Sequence, residues 1–462
     1  MAEWLPIVQV DITLNTTGST REGFGLPLFI ANTDAFPERV KTFSSLEDMM
    51  ATVPAFSDST NAVYKAAVKL WQQTPKVTQL SVARRDMQYL LSISDAPQAG
   101  QSFSVQLTGS TDGGVTVSNS TVSVNATSGQ DAGDIFAALQ TAIQNDATFG
   151  SMVSATVSGT DDVARLLIKT VDADNVFVKA SVASNSPITN QASPMDNPSD
   201  FVRRIREYDD TWYFVALEER NSQTIIELSN LIGAMRKMFF TATSLQSALS
   251  GTVLTNATDW VAKLAQDKHP RVVVLWHHSA ESDYPEMAYI GYGAPYDAGS
   301  ISWSNAQLDG VGYSQQINGR PLNAGQKAAL ETRNCNYVDY EGGLSVVRHG
   351  KVSNGQWIDV VRGADWMQYD LTTSLRDLLV NQKGGKITYD DRGITRVRQV
   401  IESSLERAVA RNFLTSYTVN VPRAKDIAVE LKRNRLLKDV TFTGILAGAI
   451  DDVNLQGSVA YE

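Results

Sequence analysis

Between Trp212 and Trp276 the chain alternates short apolar runs with helical periods, and this constrains the fold more than anything else in the sequence. Trp212 to Leu217 reads as a strand. Ile225, Leu228, Ile232 and Met235 mark one face of a helix, and Met238 to Thr241 reads as a second strand. A helix is predicted from about Thr255 to Gln266, containing Trp260 and Leu264. Arg271 to Trp276 is then a third strand. Strands separated by helices at this spacing are joined by crossovers, so the sequence predicts a parallel sheet covered by helices. Residues 21 to 85 carry the same signature. Phe24 to Ala31 is strand-like, and Ser45 with Asp48 makes a capping-box-like helix start. Val63, Ala66, Ala67 and Leu70 face inward on a helix from about Ser59 to Gln73. Pro75 stops that helix, and Val77 to Arg84 is a strand.

The composition changes between these two stretches. From Gln88 to Pro198 there is no Glu, Trp or His, and Ser, Thr, Gly, Asn and Asp dominate. Short alternating runs recur there, such as Phe103-Val105-Leu107, Val122-Val124 and Leu166-Ile168, with one helix from about Asp131 to Gln144. This reads as a β-rich module inserted into the α/β body and closed by the turn-rich Ser193 to Pro198. Further on, Leu344-Val346 and Trp357 to Val361 read as a hairpin around Ser353-Asn354-Gly355. A helix carrying Met367, Leu371, Leu375 and Leu378 follows, and another runs from about Thr395 to Phe413.

Both ends also carry strand patterns. Val8, Val10, Ile12 and Leu14 alternate with polar residues, as do Val453, Leu455, Val459 and Tyr461. Termini usually fray unless something ties them down. Strand pattern at both ends therefore predicts either pairing within one sheet or strands lent to neighbours. Asn15 to Ser19 and Asp451-Asp452 read as hinges beside these arms.

The 462 residues and 43% hydrophobic content provide for two to four domains with full cores. A net charge of -10 argues against direct nucleic-acid binding. From Arg376 to Lys438, 14 basic residues face 7 acidic ones, a local +7 that leaves -17 for the rest. The single cysteine, Cys335, excludes an internal disulfide and reads as a buried thiol. No secretory signal and no membrane-spanning apolar run is expected.

Catalytic patterns are thin. Lys383-Gly384-Gly385-Lys386 lacks the flanking residues of a phosphate loop, and no Gly-x-Ser-x-Gly elbow occurs. His277 and His278 follow a strand at the end where α/β enzymes place their sites, near Asp283 and Glu286. Adjacent strand residues point to opposite faces, so they read as loop histidines and not as a metal pair. Asp390 and Asp391 read as a turn and an N-cap. Trp303, Trp357 and Trp366 read as core or interface anchors. No catalytic, cofactor or metal residues are assigned, and the chain is expected not to be an enzyme.

Three ordered stretches carry a resemblance. The first runs from Phe43-Ser44-Ser45-Leu46-Glu47-Asp48 through Tyr64-Lys65-Ala66-Ala67 and Gln73-Thr74-Pro75 to Val82-Ala83-Arg84. The second is Gly355-Gln356-Trp357-Ile358-Asp359 followed by Arg362-Gly363-Ala364-Asp365-Trp366. The third is Phe442 to Ile450 before the final strand pattern. In these the chain resembles the tail sheath proteins of contractile-tailed bacteriophages, apart from the β-rich insertion.

The resemblance implies a structural subunit that polymerises helically with itself around an inner tail tube and shortens to drive that tube through the host envelope. It implies the tube, baseplate and tail terminator proteins as partners, and a virion tail built in the bacterial cytoplasm. No cofactor and no stable membrane insertion is implied. The expected fold class is α/β, α+β overall, with a parallel-type sheet body. The expected division is an arm at 1–20, body at 21–87, outer domain at 88–198, body at 199–365, tube-proximal domain at 366–446 and arm at 447–462. The eight strand-pattern residues at the two ends become inter-subunit arms. Arg396, Arg398, Arg407 and Arg411 become candidates for the tube-facing surface. The rival readings are a glycan-binding adhesin and a hydrolase with a carbohydrate-binding insertion.

Overall fold

The computed structural model describes residues 23–381 and 385–456. The first elements are β1 (Pro27–Ala31), β2 (Val40–Phe43), α1 (Leu46–Thr52), α2 (Ala62–Trp71) and β3 (Leu80–Arg84). After the intervening module come α4 (Pro198–Tyr208), β11 (Phe214–Leu217), α5 (Ser222–Gly233), β12 (Met238–Thr243), α6 (Trp260–Gln266) and β13 (Val272–Trp276). Then follow α7 (Ala280–Asp283), α8 (Pro285–Gly293), α9 (Ala324–Thr332), β14 (Asn336–Glu341) and β15 (Leu344–Arg348).

These strands form one eight-stranded sheet in the order β15-β14-β13-β12-β11-β1-β3-β2. Its six inner strands are parallel, and the edge strands β2 and β15 are antiparallel. The inner runs PLFIA, FVAL, MFFTAT and VVVLW are buried at every position, as strands covered by helices on both faces must be. The fold is thus mixed α/β with further, smaller sheets.

The module between β3 and α4 contains β4 (Met87–Ile93), β5 (Ser102–Ser110), β6 (Ser118–Asn125), α3 (Ala132–Gln144), β7 (Val153–Ser158), β8 (Arg165–Thr170), β9 (Phe177–Ser181) and β10 (Ile188–Pro194). It builds one sheet of order β10-β4-β8-β7 and another of order β6-β5-β9. Phe103, Phe136, Leu139, Phe149 and Ile168 centre a core of its own. Asp131 caps α3 with a full capping box.

The last part holds α10 (Ile358–Val380), α11 (Asp391–Ala410), β16 (Leu414–Asn420), α12 (Val429–Arg433) and β17 (Thr441–Leu446). The sequence reading misplaced one hairpin. Strand β15 pairs with β14 through Gly342-Gly343, both at positive φ, while Trp357 to Val361 opens α10. The Ser353-Asn354-Gly355 turn leads into a helix with Trp357 at the N-cap position, and Ile358, Arg362, Asp365 and Trp366, at helical spacing, form its buried face. Helix α10 also runs unbroken through the division expected at 365/366. Trp366, Ile401, Leu405 and Phe413 share the core of the body.

Two buried polar anchors, Arg362 and Asp365, bind this part to the body, and a third, Asp370, binds its two helices together. The Arg362 guanidinium lies fully buried and donates to the carbonyls of Phe24 (2.8 Å), Gly293 (2.8 Å), Ala294 (3.3 Å) and Tyr296 (2.7 Å). Asp365 takes two bonds from Arg271 (2.9 and 2.6 Å) and one from the Tyr213 hydroxyl (3.0 Å). Asp370 takes the Ser404 hydroxyl (2.5 Å) and Arg407 (2.5 Å), pinning α11 to α10. Close approach demands glycine at two positions here. A Cβ on Gly25 would lie 2.4 Å from the Ala294 carbonyl, and one on Gly363 would lie 2.2 Å from the Phe413 ring.

Candidate functional site

Open parallel sheets bind ligands where the strand order reverses, at the carboxyl ends of the strands. In this sheet that point lies between β1 and β11, since the chain leaves β1 toward β3 and leaves β11 toward β12. Here the position is filled by side chains paired with one another. The Asn32 N–H donates to Glu218 Oε2 at 2.7 Å. Arg220 forms an ion pair with the fully buried Glu286 at 2.7 Å, donates to the Ala280 carbonyl and lies over the Tyr284 ring. Arg85 bridges Glu219 and Asp196.

Burial pushes the Glu218 carboxyl up to about 7, against the opposing pull of the Asn32 N–H and of Arg220. A carboxyl with a folded value above its ordinary 4.5 holds a proton that the unfolded chain has released. Its stabilising contribution is full below pH 4.5 and is lost as pH rises through 7. Glu218→Gln is expected to flatten the stability profile in that window and to raise stability at pH 8 by about 2 kcal/mol. Urea denaturation of both proteins at pH 5 and pH 8 measures it, and parallel profiles would count against the assignment.

Beside this point the chain leaves the body for the inserted module and returns from it. The outgoing Asp86 and the incoming Asp196 lie side by side: the Asp86 N–H donates to Asp196 Oδ2 (3.1 Å), and the Met195 N–H donates to the Asp86 carbonyl (2.8 Å). Asp86, 2% exposed, accepts from Arg39 (2.9 Å) before β2, Arg84 (2.9 Å) in β3 and Arg204 (2.8 Å) in α4. Arg204 continues to Asp174 of the module (2.5 Å), and Arg39 to the Ala173 carbonyl (2.7 Å). Burial, with Arg39 alongside, brings Arg84 down to about 10. On the module's other flank, Tyr89 and Lys179 both hold Asp34 of the body at 2.9 Å. The place where an α/β enzyme opens a crevice here adjoins the paired side chains that fasten the inserted module.

His277 and His278 lie just beyond β13. Their rings face each other at 4.3 Å between centroids, where opposite faces were expected, because strand geometry ends at Trp276. His277 contacts the Ser279 hydroxyl and the Gly312 carbonyl, and His278 accepts the Gln315 N–H. Asp283 pairs with Lys69. Among the described residues no group of three or more His, Cys, Asp or Glu is placed to hold a metal. Asp390 caps α11 through the Gly393 N–H at 2.7 Å. Cys335 is a free, buried thiol. Trp303 and Trp366 are buried, whereas Trp357 is 39% exposed. No described helix is long and apolar enough to cross a membrane.

The four arginines expected to face a tube, three in α11 and Arg411 at its C-cap, separate into two classes. Arg407 is drawn inward to Asp370, and Arg411 stacks on Trp366 at 4.1 Å and reaches Asp297 at 3.3 Å. Arg396 and Arg398 are exposed, with Arg398 pairing one turn away with Glu402. Beside them an apolar groove of about 630 Å³ runs between α10, α11 and residues 432–440. Leu375, Leu378, Ile394 and Val397 line it, with Lys386 and Arg435 in its wall. The groove is visible only once the helices are packed, although its apolar residues already showed in the helical periods.

The ribbon β16–β17 is the other unusual surface. It has two strands, and among the described residues neither outer edge is paired. All six residues of β17 are exposed, Ile445 by 60% and Leu446 by 45%. Val453 and Leu455 are 82% and 88% exposed and lie outside any strand. Val8, Val10, Ile12, Leu14, Val459 and Tyr461 lie outside the described residues, as do Lys383 and Gly384.

No family model and no curated protein matches the sequence. A chain in the cryo-EM structure of the anti-feeding prophage (AFP) baseplate in contracted state has the same fold. It aligns over 99% of this chain and 99% of that one, with a TM-score of 0.50 and 11% identity. At that identity the likeness is one of fold. The crystal structure of the flagellar cap protein FliD D1-D2-D3 domains from Escherichia coli aligns over 62% of this chain and 83% of that one, at 12% identity. Its TM-score is 0.13, too low to carry an argument.

Proposed function

We propose that this chain is a structural, non-enzymatic subunit of a contractile particle, and within that class a sheath subunit that polymerises with itself around an inner tube. The observation that carries the reading is the β16–β17 ribbon. A two-stranded ribbon alone is marginal in water, and an unpaired apolar edge is a template for another strand. A second copy of this chain supplies strands of the right pattern in Val8 to Leu14 and Val453 to Tyr461. Pairing of this kind is heterologous, so it builds rings where the rotation closes and an open helical polymer where it does not. The whole-length fold likeness to a chain of a contracted baseplate supports the same class, and the filled switch point disfavours a hydrolase.

In this reading the inserted module projects as a rigid strut, residues 366–446 lie toward the tube, and baseplate and terminator proteins cap the polymer. Arg396 and Arg398, with the groove beside them, form the tube-facing surface. Arg407 and Arg411 support it from behind. Assembly takes place in the host bacterial cytoplasm, and no nucleotide is consumed, because two packings of one subunit separated by about a few kcal/mol suffice for a switch.

Negative-stain electron microscopy of the full-length chain at rising concentration tests this. Wide hollow tubes or stacked rings are expected, and a chain lacking residues 1 to 14 or carrying Ile445→Lys should stay monomeric. With the tube protein added, Arg396→Glu with Arg398→Glu should weaken loading, most strongly at low salt. Assembly that survives both the deletion and the edge substitution would remove strand lending from the account.

A further inference from the structure

After β17 the chain turns back onto its own body. The Ala447 N–H donates to the Phe413 carbonyl at 3.0 Å, and Gly448 takes a positive φ of 68°. Residues 447–456 form no regular element. The strap bridges a cavity of about 120 Å³ lined by Ser302, Asp359, Phe413 and Ala449, so it does not pack down onto the surface it crosses.

What holds it is polar. The Ser302 hydroxyl donates to Asp451 Oδ1 at 2.7 Å, and Asn305 Nδ2 donates to the Asp451 carbonyl at 2.8 Å. Arg348 at the end of β15 donates to Asp452 Oδ1 at 2.8 Å. The receiving side is built in advance: Arg348 also donates to Asn305 Oδ1 at 2.7 Å, and the Asn305 backbone is fixed to Val347 at 2.7 Å with a positive φ of 58°. The large apolar side chains of the strap add nothing to the grip, since Ile450, Val453 and Leu455 are 87%, 82% and 88% exposed. Asp451-Asp452, which read as a hinge in the sequence, is thus the fastened part of the strap.

We propose that Ser302, Asn305 and Arg348 form a latch that parks residues 447–456 on their own subunit through Asp451 and Asp452, and that opening it frees Val453 to Gln456 for pairing with a second copy. A segment that displays large apolar side chains while held mainly by polar contacts at the surface is stored, not settled. Exposed ion pairs are weak and salt-screened. The grip is therefore strong enough to order the strap in a lone subunit and weak enough to yield when a paired strand offers backbone hydrogen bonds and apolar burial. The destination rests on the strand-lending reading above, whereas the latch does not.

The test uses the full-length chain and two variants, Arg348→Ala and Asp451→Asn with Asp452→Asn. Limited thermolysin proteolysis of monomers below the assembly threshold reads the latch alone. Cleavage across 449–456 is expected to quicken about tenfold in both variants, with the body intact. Light scattering at higher concentration reads the consequence: both variants should polymerise with a shorter lag and at lower protein concentration. Unchanged cleavage would overturn the latch. Faster cleavage with slower polymerisation would overturn storage, making the contact a permanent anchor. Faster cleavage in a chain that forms no polymer under any condition would retain the latch and discard the second copy as its destination.

Discussion

Replacing Arg362 with methionine is expected to destabilise the protein by about 3–5 kcal/mol, the scale seen when one member of a buried charged network is removed. Among the described residues the side chain has no carboxylate partner. Its charge is met by four backbone carbonyls and by the faces of Phe214 and Trp303, 5.1 and 6.0 Å away. Gly293 ends α8, Ala294 is its C-cap and Tyr296 lies just beyond, at the end where a helix carries partial negative charge and has carbonyls to be met. The fourth, from Phe24, ties the start of the described chain to α10. Methionine would match the bulk and leave buried acceptors bare, each at a cost of about 1–3 kcal/mol. Lysine would keep the charge, but one ammonium cannot span four carbonyls held by a planar fork. Burial brings the guanidinium down to about 10, so it is charged throughout the neutral range. Urea midpoints of the two variants against the parent measure the effect. A loss below about 1 kcal/mol for methionine would mean that the carbonyls find water or other donors.

The second large effect is expected at Asp86. Removing its carboxylate leaves Arg39, Arg84 and Arg204 crowded with their shared counter-charge gone, and Asp86→Ala should destabilise by about 3–5 kcal/mol. The loss should be uneven in space. The module keeps its own core, so it should remain folded while its attachment loosens. Limited proteolysis is then expected to cut near 85–87 and 194–198 well before either unit is degraded. Global unfolding in one transition with no such cut would show that module and body share one cooperative unit. Asp86→Asn is the gentler variant: it keeps hydrogen-bond acceptance on one oxygen, and an intermediate loss is expected.

The parts of the fold legible in the sequence were those set by local periodicity. Strand runs such as VVVLW and helix faces such as Ile225, Leu228 and Ile232 declare themselves because each is buried on a regular spacing. The β-rich stretch showed through its composition. Strand pairing was not legible where two turn signals competed: Gly342-Gly343 and Asn354-Gly355 both permit a hairpin, and only tertiary packing gave β15 to β14. The fastening of the inserted module was equally hidden. Arg84, Arg85 and Asp86 are adjacent in the chain, but Arg39, Asp196 and Arg204 reach them from as far as 118 residues away. Arg362 did leave a trace, as a lone charge within the apolar run Val360 to Ala364, at a position that faces the core. The sequence had grouped the arginines of α11 as one basic face. Which of them turn inward depends on Asp370 and Trp366, two side chains on a different helix.

The return of the chain to its point of departure also bears on the order in which the molecule can fold. The central pair β1–β11 joins residues 186 apart at Asn32 and Glu218, a long loop to close at the middle of a sheet. Most of that loop is the inserted module, whose ends meet at Asp86 and Met195 and which carries its own core. Once the module is folded, the flexible chain left between β1 and β11 is less than half as long, and the entropy of closing it falls by about 0.8 kcal/mol. The gain in stability is slight, but the kinetic meaning is larger. During synthesis the module emerges whole before β11 does, so it draws the two halves of the body sheet to within reach of each other before the strand that joins them exists.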